Sequence, residues 1–397
     1  MADDLVAMQK TLTFTLTTAG ILTATYGGIV GLFYKALGAP SASLPLYVAP
    51  DVPDARQHRI PSPFGHRTKA MEIVKGVDLR GKVVVITGGH SGTGREAVRA
   101  LARAGAHVIV LARDVNRAQR GLSGIANTSV EYVDLLQPAS IDAFADRYVQ
   151  SGRPLHILIN SAAIMATPLE RDDRGYERQF ATNVLGHYQL TVRLLPALER
   201  AHGARVINVA SRGHHAGGVL LDDINFNHTP YTGMRAYAQS KTALILLSIK
   251  EDELWRDKQI RVFATTPGPV PTSDLFAAGG VGHKPSRQVA LGRVAAATLR
   301  ALHVTEALNL RRRPRNEGDL YKTVQQGGAT ATWAAVSRDL DGKGGVYLED
   351  CDLAPVVPDE GRAPYGVKSW ALDLSVANRL WSLCETLTGV RVPTNGA

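Results

Sequence analysis

The chain is poor in cysteine. Its 397 residues contain only two, Cys351 and Cys384. Two cysteines supply neither a disulfide framework nor a metal-ligand spacing, so no metal site is expected and a reducing compartment is the easier inference. Signals for nucleic acid are also scarce. The formal charge is +9, yet the basic residues are spread out, and the one dense run is Arg311-Arg312-Arg313-Pro314-Arg315. No recognition motif accompanies that run, so it reads as a solvated loop and no nucleic-acid partner is expected. The positive balance suits an anionic cofactor or an anionic membrane surface instead. With 45% hydrophobic and 20% charged residues, the composition is not that of a disordered chain and supports a large core. No internal repeat is visible.

Charge is missing altogether from residues 11 to 34, between Lys10 and Lys35. As a helix these 24 residues would span about 36 Å, against about 30 Å of hydrocarbon. Phe14, Leu16, Ile21, Leu22, Ile29, Val30, Leu32 and Phe33 supply the hydrophobicity. Seven threonines and the glycines at 20, 27, 28 and 31 dilute it, although threonine hydroxyls can bond back to helix carbonyls. Tyr26 and Tyr34 suit an interface, with Lys35 just outside. Asp3 and Asp4 spoil the positive n-region of a secretory signal. We therefore expect residues 1–37 to be a hydrophobic membrane anchor, single-pass or embedded. The alternative is a helix packed on the domain. Prolines at 40, 45, 50, 53, 61 and 63 predict a linker and lead-in over 38–75.

Beyond the lead-in, apolar strands alternate with helices. Lys82 to Glu96 reads K-V-V-V-I-T-G-G-H-S-G-T-G-R-E, a β-branched run, a glycine turn and a helix start. Small residues in such a turn let a backbone approach a pyrophosphate, and the helix N-terminus offers N–H groups to it. Further strands are predicted at His107–Ala112, Val130–Leu135, Leu155–Asn160, Arg205–Val209 and Ile260–Thr265. Helices are predicted at Ile141–Gln150, around Phe180–Arg200, and at Arg235–Trp255. The alternation predicts an α/β fold, a Rossmann-like doubly wound parallel sheet with helices on both faces. Right-handed crossovers then gather the loops after each strand along one edge.

Chemistry-bearing residues fall at those edges. Asn160 ends one strand in N-S-A-A, and Ser211 follows another in N-V-A-S-R. Tyr237 and Lys241 are spaced i, i+4 in Y-A-Q-S-K and share a helix face. An ammonium one turn away would favour the phenolate and lower the tyrosine pKa, while a serine hydroxyl holds the substrate oxygen. The second strand ends at Ala112-Arg113. Arg113 lies 19 residues past Gly94, where a basic residue accommodates a 2′-phosphate. Asp114 beside it could take a ribose hydroxyl instead.

Together and in this order these residues resemble the short-chain dehydrogenase/reductase family, over about residues 76–390. The resemblance rests on T-G-G-H-S-G-T-G at Thr87–Gly94, N-S-A-A at 160–163, N-V-L-G-H-Y from Asn183, Ser211, Tyr237-x3-Lys241, and P-G-P-V-P-T from Pro267. It implies a catalytic group of Asn183, Ser211, Tyr237 and Lys241, with Lys241 also holding the nicotinamide ribose and Asn183 supporting a water-linked proton relay. It implies cofactor contacts from Thr87, Gly88, Ser91, Gly92, Thr93, Gly94, Arg113, Asp134, Leu135, Asn160, Pro267, Gly268, Val270 and Thr272, with Asp134 facing adenine. The tail, G-A-T-A-T-W at 328–333, G-G-V-Y-L-E-D-C at 344–351 and Leu380-Trp381, looks like the retinol-dehydrogenase-like branch. The lead-in motifs at Ser62 and Gly76 fit it too. Thr93, Ser161 and Ala163 depart from the family pattern, near the cofactor rather than in the catalytic four.

The resulting expectation is an NADP(H)-dependent oxidoreductase that interconverts a carbonyl and an alcohol on a lipophilic small molecule. A segment at about 273–328 covers the substrate, and residues 391–397 form a tail. Cofactor supply places the catalytic domain on the cytosolic side of the membrane. A homodimer is compatible with it. A silent cofactor-binding scaffold, a reductase of an activated C=C bond and a membrane-surface lipid carrier remain as alternatives.

Overall fold

A computed structural model of the chain describes residues 56–273, 275, 321–361, 363 and 365–392. The expected anchor at 1–37, the linker up to residue 55 and, apart from Leu275, the covering segment over 274–320 lie outside the described residues, as does the Arg311–Arg315 run. No helix among the described residues is long and apolar enough to cross a membrane.

The apolar runs form the expected sheet. The chain proceeds β1 (Val83–Thr87), α1 (Gly92–Arg103), β2 (His107–Ala112), α2 (Val115–Leu122), β3 (Thr128–Tyr132), α3 (Pro138–Gln150) and β4 (Ile157–Asn160). It continues with α4 (Gly186–Arg193), β5 (Arg205–Val209), α5 (Gly233–Trp255), β6 (Arg261–Thr265), α6 (Ala329–Val336), β7 (Val346–Glu349), β8 (Asp352–Leu353) and α7 (Leu374–Thr388). Strand order is β3-β2-β1-β4-β5-β6-β7-β8. Every neighbouring pair is parallel except β7 and β8. The order reverses direction between β1 and β4, so a crevice opens where their carboxyl ends diverge.

Strand residues alternate between two cores because side chains alternate between sheet faces. Val83, Val85, Ile109, Leu111, Leu158, Val206 and Val262 meet α3, α4, α5 and α7 on one face. Val84, Ile86, Val108, Val110, Ile159, Ile207 and Phe263 meet α1 and α6 on the other. Trp333 of α6 is fully buried there, which accounts for the aromatic residue in the G-A-T-A-T-W stretch. The G-G-V-Y-L-E-D-C stretch is the seventh strand and its turn into β8.

Three local expectations differ from the structure. The third strand ends at Tyr132 rather than Leu135. Asp134 turns the chain out of the sheet, its N–H and carbonyl both bonded to the Ser140 hydroxyl. The long helix around 180–200 is interrupted. Ala181–Leu185 is a π-helical turn, and a new short helix starts at Leu195 with Pro196 in its first turn. The lead-in, over its described part from residue 56, is packed against the domain. The Gln57 amide donates to the Tyr347 and Ala354 carbonyls at 2.5 and 2.7 Å, and its Oε1 accepts the Tyr347 N–H at 3.0 Å. Arg59 pairs with Asp352 at 2.7 Å. Polar side chains thus replace strand hydrogen bonds at the β7–β8 edge, which apolar periodicity does not report.

Candidate active site

A cleft of about 360 Å³ opens along the carboxyl ends of β1, β4 and β5. Its floor at one end is the glycine turn. Gly88 has φ +68°, and a Cβ there would stand 2.9 Å from Ala162 Cα, so no other residue fits between the two strand ends. Gly92 also has a positive φ, but a Cβ there would meet open space. It begins α1, whose first-turn residues Gly92, Thr93 and Gly94 line the cleft with Ser91. This is a cradle of backbone N–H groups at the positive end of a helix, suited to a pyrophosphate. Arg113, Asp134 and Leu135 line the same end. Asp114 lines this end as well, and one oxygen of its carboxylate caps α2 by accepting the Arg117 N–H at 2.9 Å. Arg117 itself also lines the cleft, so two basic residues, Arg113 and Arg117, stand at this end.

At the other end Ser211, Tyr237 and Lys241 converge. Tyr237 and Lys241 lie on one face of α5, both nearly fully buried. Ser211 caps the 3₁₀ turn Arg212–Ala216, its Oγ accepting the Gly213 N–H at 3.0 Å. A Cβ at Gly213 would come within 2.8 Å of Tyr237 Cε1, so this glycine lets the serine turn rest on the tyrosine ring. Lys241 Nζ donates to the Val209 carbonyl at 2.8 Å and stands 5.6 Å from the Tyr237 ring centroid.

Electrostatics here differ from the simple expectation. Burial pushes the Tyr237 phenol up to about 12, with Ser211 pulling in the opposite direction. Burial also lowers Lys241 to about 7. A lysine only partly charged at neutral pH is a weaker lever on the phenol than a full ammonium would be.

Three expected site residues stand outside the cleft lining. Asn160 was expected to contact the cofactor but is buried, donating to Thr191 Oγ1 and Asn208 Oδ1 at 2.9 and 2.8 Å. It joins β4 to β5 and α4. Asn183 sits in the π turn one layer behind. Its amide brackets Ile164, accepting the N–H at 2.9 Å and donating to the carbonyl at 3.0 Å, and it also donates to Ser240 Oγ. Ser240 in turn donates to the Tyr237 carbonyl, so Asn183 ties the cleft wall to the tyrosine turn. Thr272 is buried and does not line the cleft, whereas Pro267, Gly268 and Val270 do.

Thr87 lines the cleft, yet its hydroxyl is spent on bracing. It accepts the N–H groups of Ser161 and Ala162 at 2.9 and 3.0 Å. It also meets His187 Nε2 at 2.8 Å. Burial depresses His187 to about 4, so the ring is neutral, and its Nδ1–H donates to the Asn183 carbonyl at 2.9 Å. Nε2 must then accept, and Thr87 must donate. Both lone pairs and the proton of the threonine are used.

The arrangement has counterparts. The short chain dehydrogenase family model matches residues 82–278. A Streptomyces antibioticus protein named "Probable oxidoreductase" is 36% identical over 314 residues, 77% of this chain and 97% of the relative. The chain belongs to the short-chain dehydrogenase/reductase family. A "Polyprenol dehydrogenase" of Danio rerio is 32% identical over 289 residues, 68% of this dehydrogenase and 79% of the relative. A crystal structure of an uncharacterized protein from Mycobacterium Paratuberculosis covers 80% of it with TM-score 0.58 at 28% identity, and 97% of that chain is matched. Sequence reasoning missed Arg117 and Gly213 in this short-chain dehydrogenase. The Asp-x-x-Arg spacing of a helix cap would have found the first. Nothing local marks the second, whose neighbour Tyr237 is 24 residues away.

Proposed function

We propose that this short-chain dehydrogenase is an NADP(H)-dependent oxidoreductase that interconverts a carbonyl and an alcohol on a lipophilic substrate. The observation that carries the proposal is the convergence of Ser211 and Tyr237 beside buried Lys241, in one cleft with a glycine cradle and Arg113. Residues at the cradle fit a dinucleotide. Gly88 leaves no room for a Cβ, Gly94 leaves little, and Gly92 faces open space. Ser91 to Gly94 would hold the pyrophosphate, Arg113 and Arg117 the 2′-phosphate, and Lys241 the ribose beside the nicotinamide. When bound, the dinucleotide supplies the hydride chemistry.

The chain's own residues handle the proton. A phenol at about 12 is fully protonated at neutral pH, the form that donates to a carbonyl oxygen as it becomes an alcohol. Ser211 Oγ supports that oxygen from the other side. In the reverse direction Tyr237 takes the hydroxyl proton. Ile164, Met165 and Leu275 line the wall near these groups and suit a lipophilic substrate, as does the polyprenol dehydrogenase relative. The retinol-dehydrogenase-like branch fits the same reading. The uncharged N-terminal segment, on sequence grounds alone, serves as a membrane anchor with the catalytic domain on the cytosolic side.

The test is a screen of retinal, steroid ketones, aliphatic aldehydes and polyprenols with NADP(H) and NAD(H). Tyr237→Phe should bind NADPH nearly normally and lose roughly 10²–10⁴-fold in turnover. A Phe variant with near-wild-type kcat, or a higher kcat/KM with NADH than with NADPH, defeats the reading. For the anchor, full-length protein released by an alkaline carbonate wash rules out a spanning segment.

A further inference from the structure

The catalytic serine is followed by R-G-H-H, and the fates of these histidines are not explained by the reaction. His214 is fully buried. Its Nδ1 lies 2.7 Å from the Ser211 carbonyl. A carbonyl only accepts, so Nδ1 carries the proton. Nε2 then accepts, and it faces the Lys368 N–H at 3.3 Å. The ring is wedged edge-on between His215 and Tyr347, with centroids at 4.4 and 5.0 Å. The His214 carbonyl accepts Trp370 Nε1–H at 3.1 Å, and His215 Nε2 meets the Gly366 carbonyl at 2.9 Å. Glu349 bonds Arg212 on one side and the Gly366 N–H, at 2.8 Å, on the other. The serine turn is thus fastened repeatedly to one distant segment, residues 366–370. The same turn rests on the Tyr237 ring through Gly213, where there is no spare room.

We propose that His214 is a positioning residue that aims Ser211. Its ring joins the serine carbonyl to the C-terminal segment, so that residues more than 150 positions away set where the Ser211 hydroxyl stands against Tyr237. The neutral Nδ1–H tautomer is the only form that satisfies both partners. Burial and the neighbouring His215 keep the ring neutral, well below the ordinary histidine range. The proposal rests on the oxidoreductase reading, since it gives Ser211 a catalytic task.

The side-chain length of the replacement separates this role from mere packing. Asparagine places an amide N–H where Nδ1 was and keeps the Ser211 bond. Glutamine reaches toward the Nε2 position and keeps the Lys368 bond. Both shed similar apolar contact, so their thermal midpoints should be similar. With NADP⁺ and a C20 isoprenoid alcohol, His214→Asn should retain kcat within about threefold. His214→Gln should lose roughly 10- to 100-fold, the scale of a displaced reacting group, with an unchanged NADPH dissociation constant. Ser211 pulls the tyrosine pKa down, so its displacement in the Gln variant should move the basic limb of the alcohol-oxidation profile to higher pH. Equal kcat losses that track the thermal midpoints, or a Gln variant with unchanged kcat, overturn the proposal. A second measurement needs no turnover. In ¹⁵N-histidine-labelled protein, His214 should show the Nδ1–H tautomer and not titrate between about pH 5 and 9. An Nε2–H ring, or one that titrates there, overturns it whatever the substrate screen gives. Failure of the oxidoreductase reading shows separately, as Tyr237→Phe turning over like wild type, and leaves the tautomer measurement to decide the geometry.

Discussion

Glu251 makes the most quantitative forecast. It lies on α5, 1% exposed, with Oε2 accepting the Asn208 amide at 2.8 Å. No cation is among the groups that act on it; burial dominates and raises its carboxyl from 4.5 to about 8. The folded protein therefore keeps this proton through neutral pH, while the unfolded chain loses it near 4.5. Between those values the folded state binds more protons, so stability falls as pH rises. The slope is about 1.4 kcal/mol per pH unit, which accumulates to about 3 kcal/mol by pH 7. Glu251→Gln should remove this loss. Glutamine still accepts from Asn208, and its NH₂ replaces the carboxylic OH as donor. Near pH 4.5 the variant should match wild type; at pH 7 it should be about 3 kcal/mol more stable by urea unfolding, with an unchanged m-value. Turnover should persist, because the Glu251–Asn208–Asn160 chain runs beneath the cleft rather than along it. Parallel stability–pH curves for the two proteins would refute the buried neutral carboxyl.

Other perturbations act on the cleft itself. Arg113→Ala should raise the NADPH dissociation constant by about 10- to 100-fold, the worth of a charge-assisted hydrogen bond, and leave NADH binding nearly unchanged; equal effects on both cofactors would count against the 2′-phosphate assignment. Gly88→Ala combines a positive φ, costing about 1–2 kcal/mol, with a Cβ 2.9 Å from Ala162 Cα. Differential scanning calorimetry should show a lowered midpoint and titration a lost NADPH isotherm; a normal isotherm contradicts the cradle. Asp134→Ala should weaken NADPH binding measured by fluorescence while leaving single-turnover hydride transfer at saturation little changed. Because Asp134 Oδ1 also accepts the Leu136 N–H at 3.0 Å, Asp134→Asn, which keeps that acceptor, separates turn geometry from contact with adenine.

Much of this protein was legible in one dimension. Runs such as V-V-V-I and H-V-I-V-L-A are β-branched and apolar because both faces of a parallel strand are covered, and the alternation with helices admits few topologies. The Y-x3-K spacing and the glycine turn are local geometry as well, so the sequence alone was enough to place Tyr237, Lys241 and the cradle on one edge of the sheet. Which hydroxyls and amides remain available was decided only by the tertiary structure. Asn160 and Asn183 carry groups able to contact a ligand, but β5 and α4 engage the Asn160 Nδ2 group and the Ile164 backbone engages Asn183. Thr87 spends its whole bonding capacity on Ser161, Ala162 and His187. The proton affinities of Tyr237 and Lys241 likewise follow from burial by elements scattered over the chain, and the anchoring of the serine turn follows from residues 366–370. Periodicity reports which way a side chain faces along its own element; a hydrogen-bond partner or a desolvation cost belongs to whatever the fold brings opposite it.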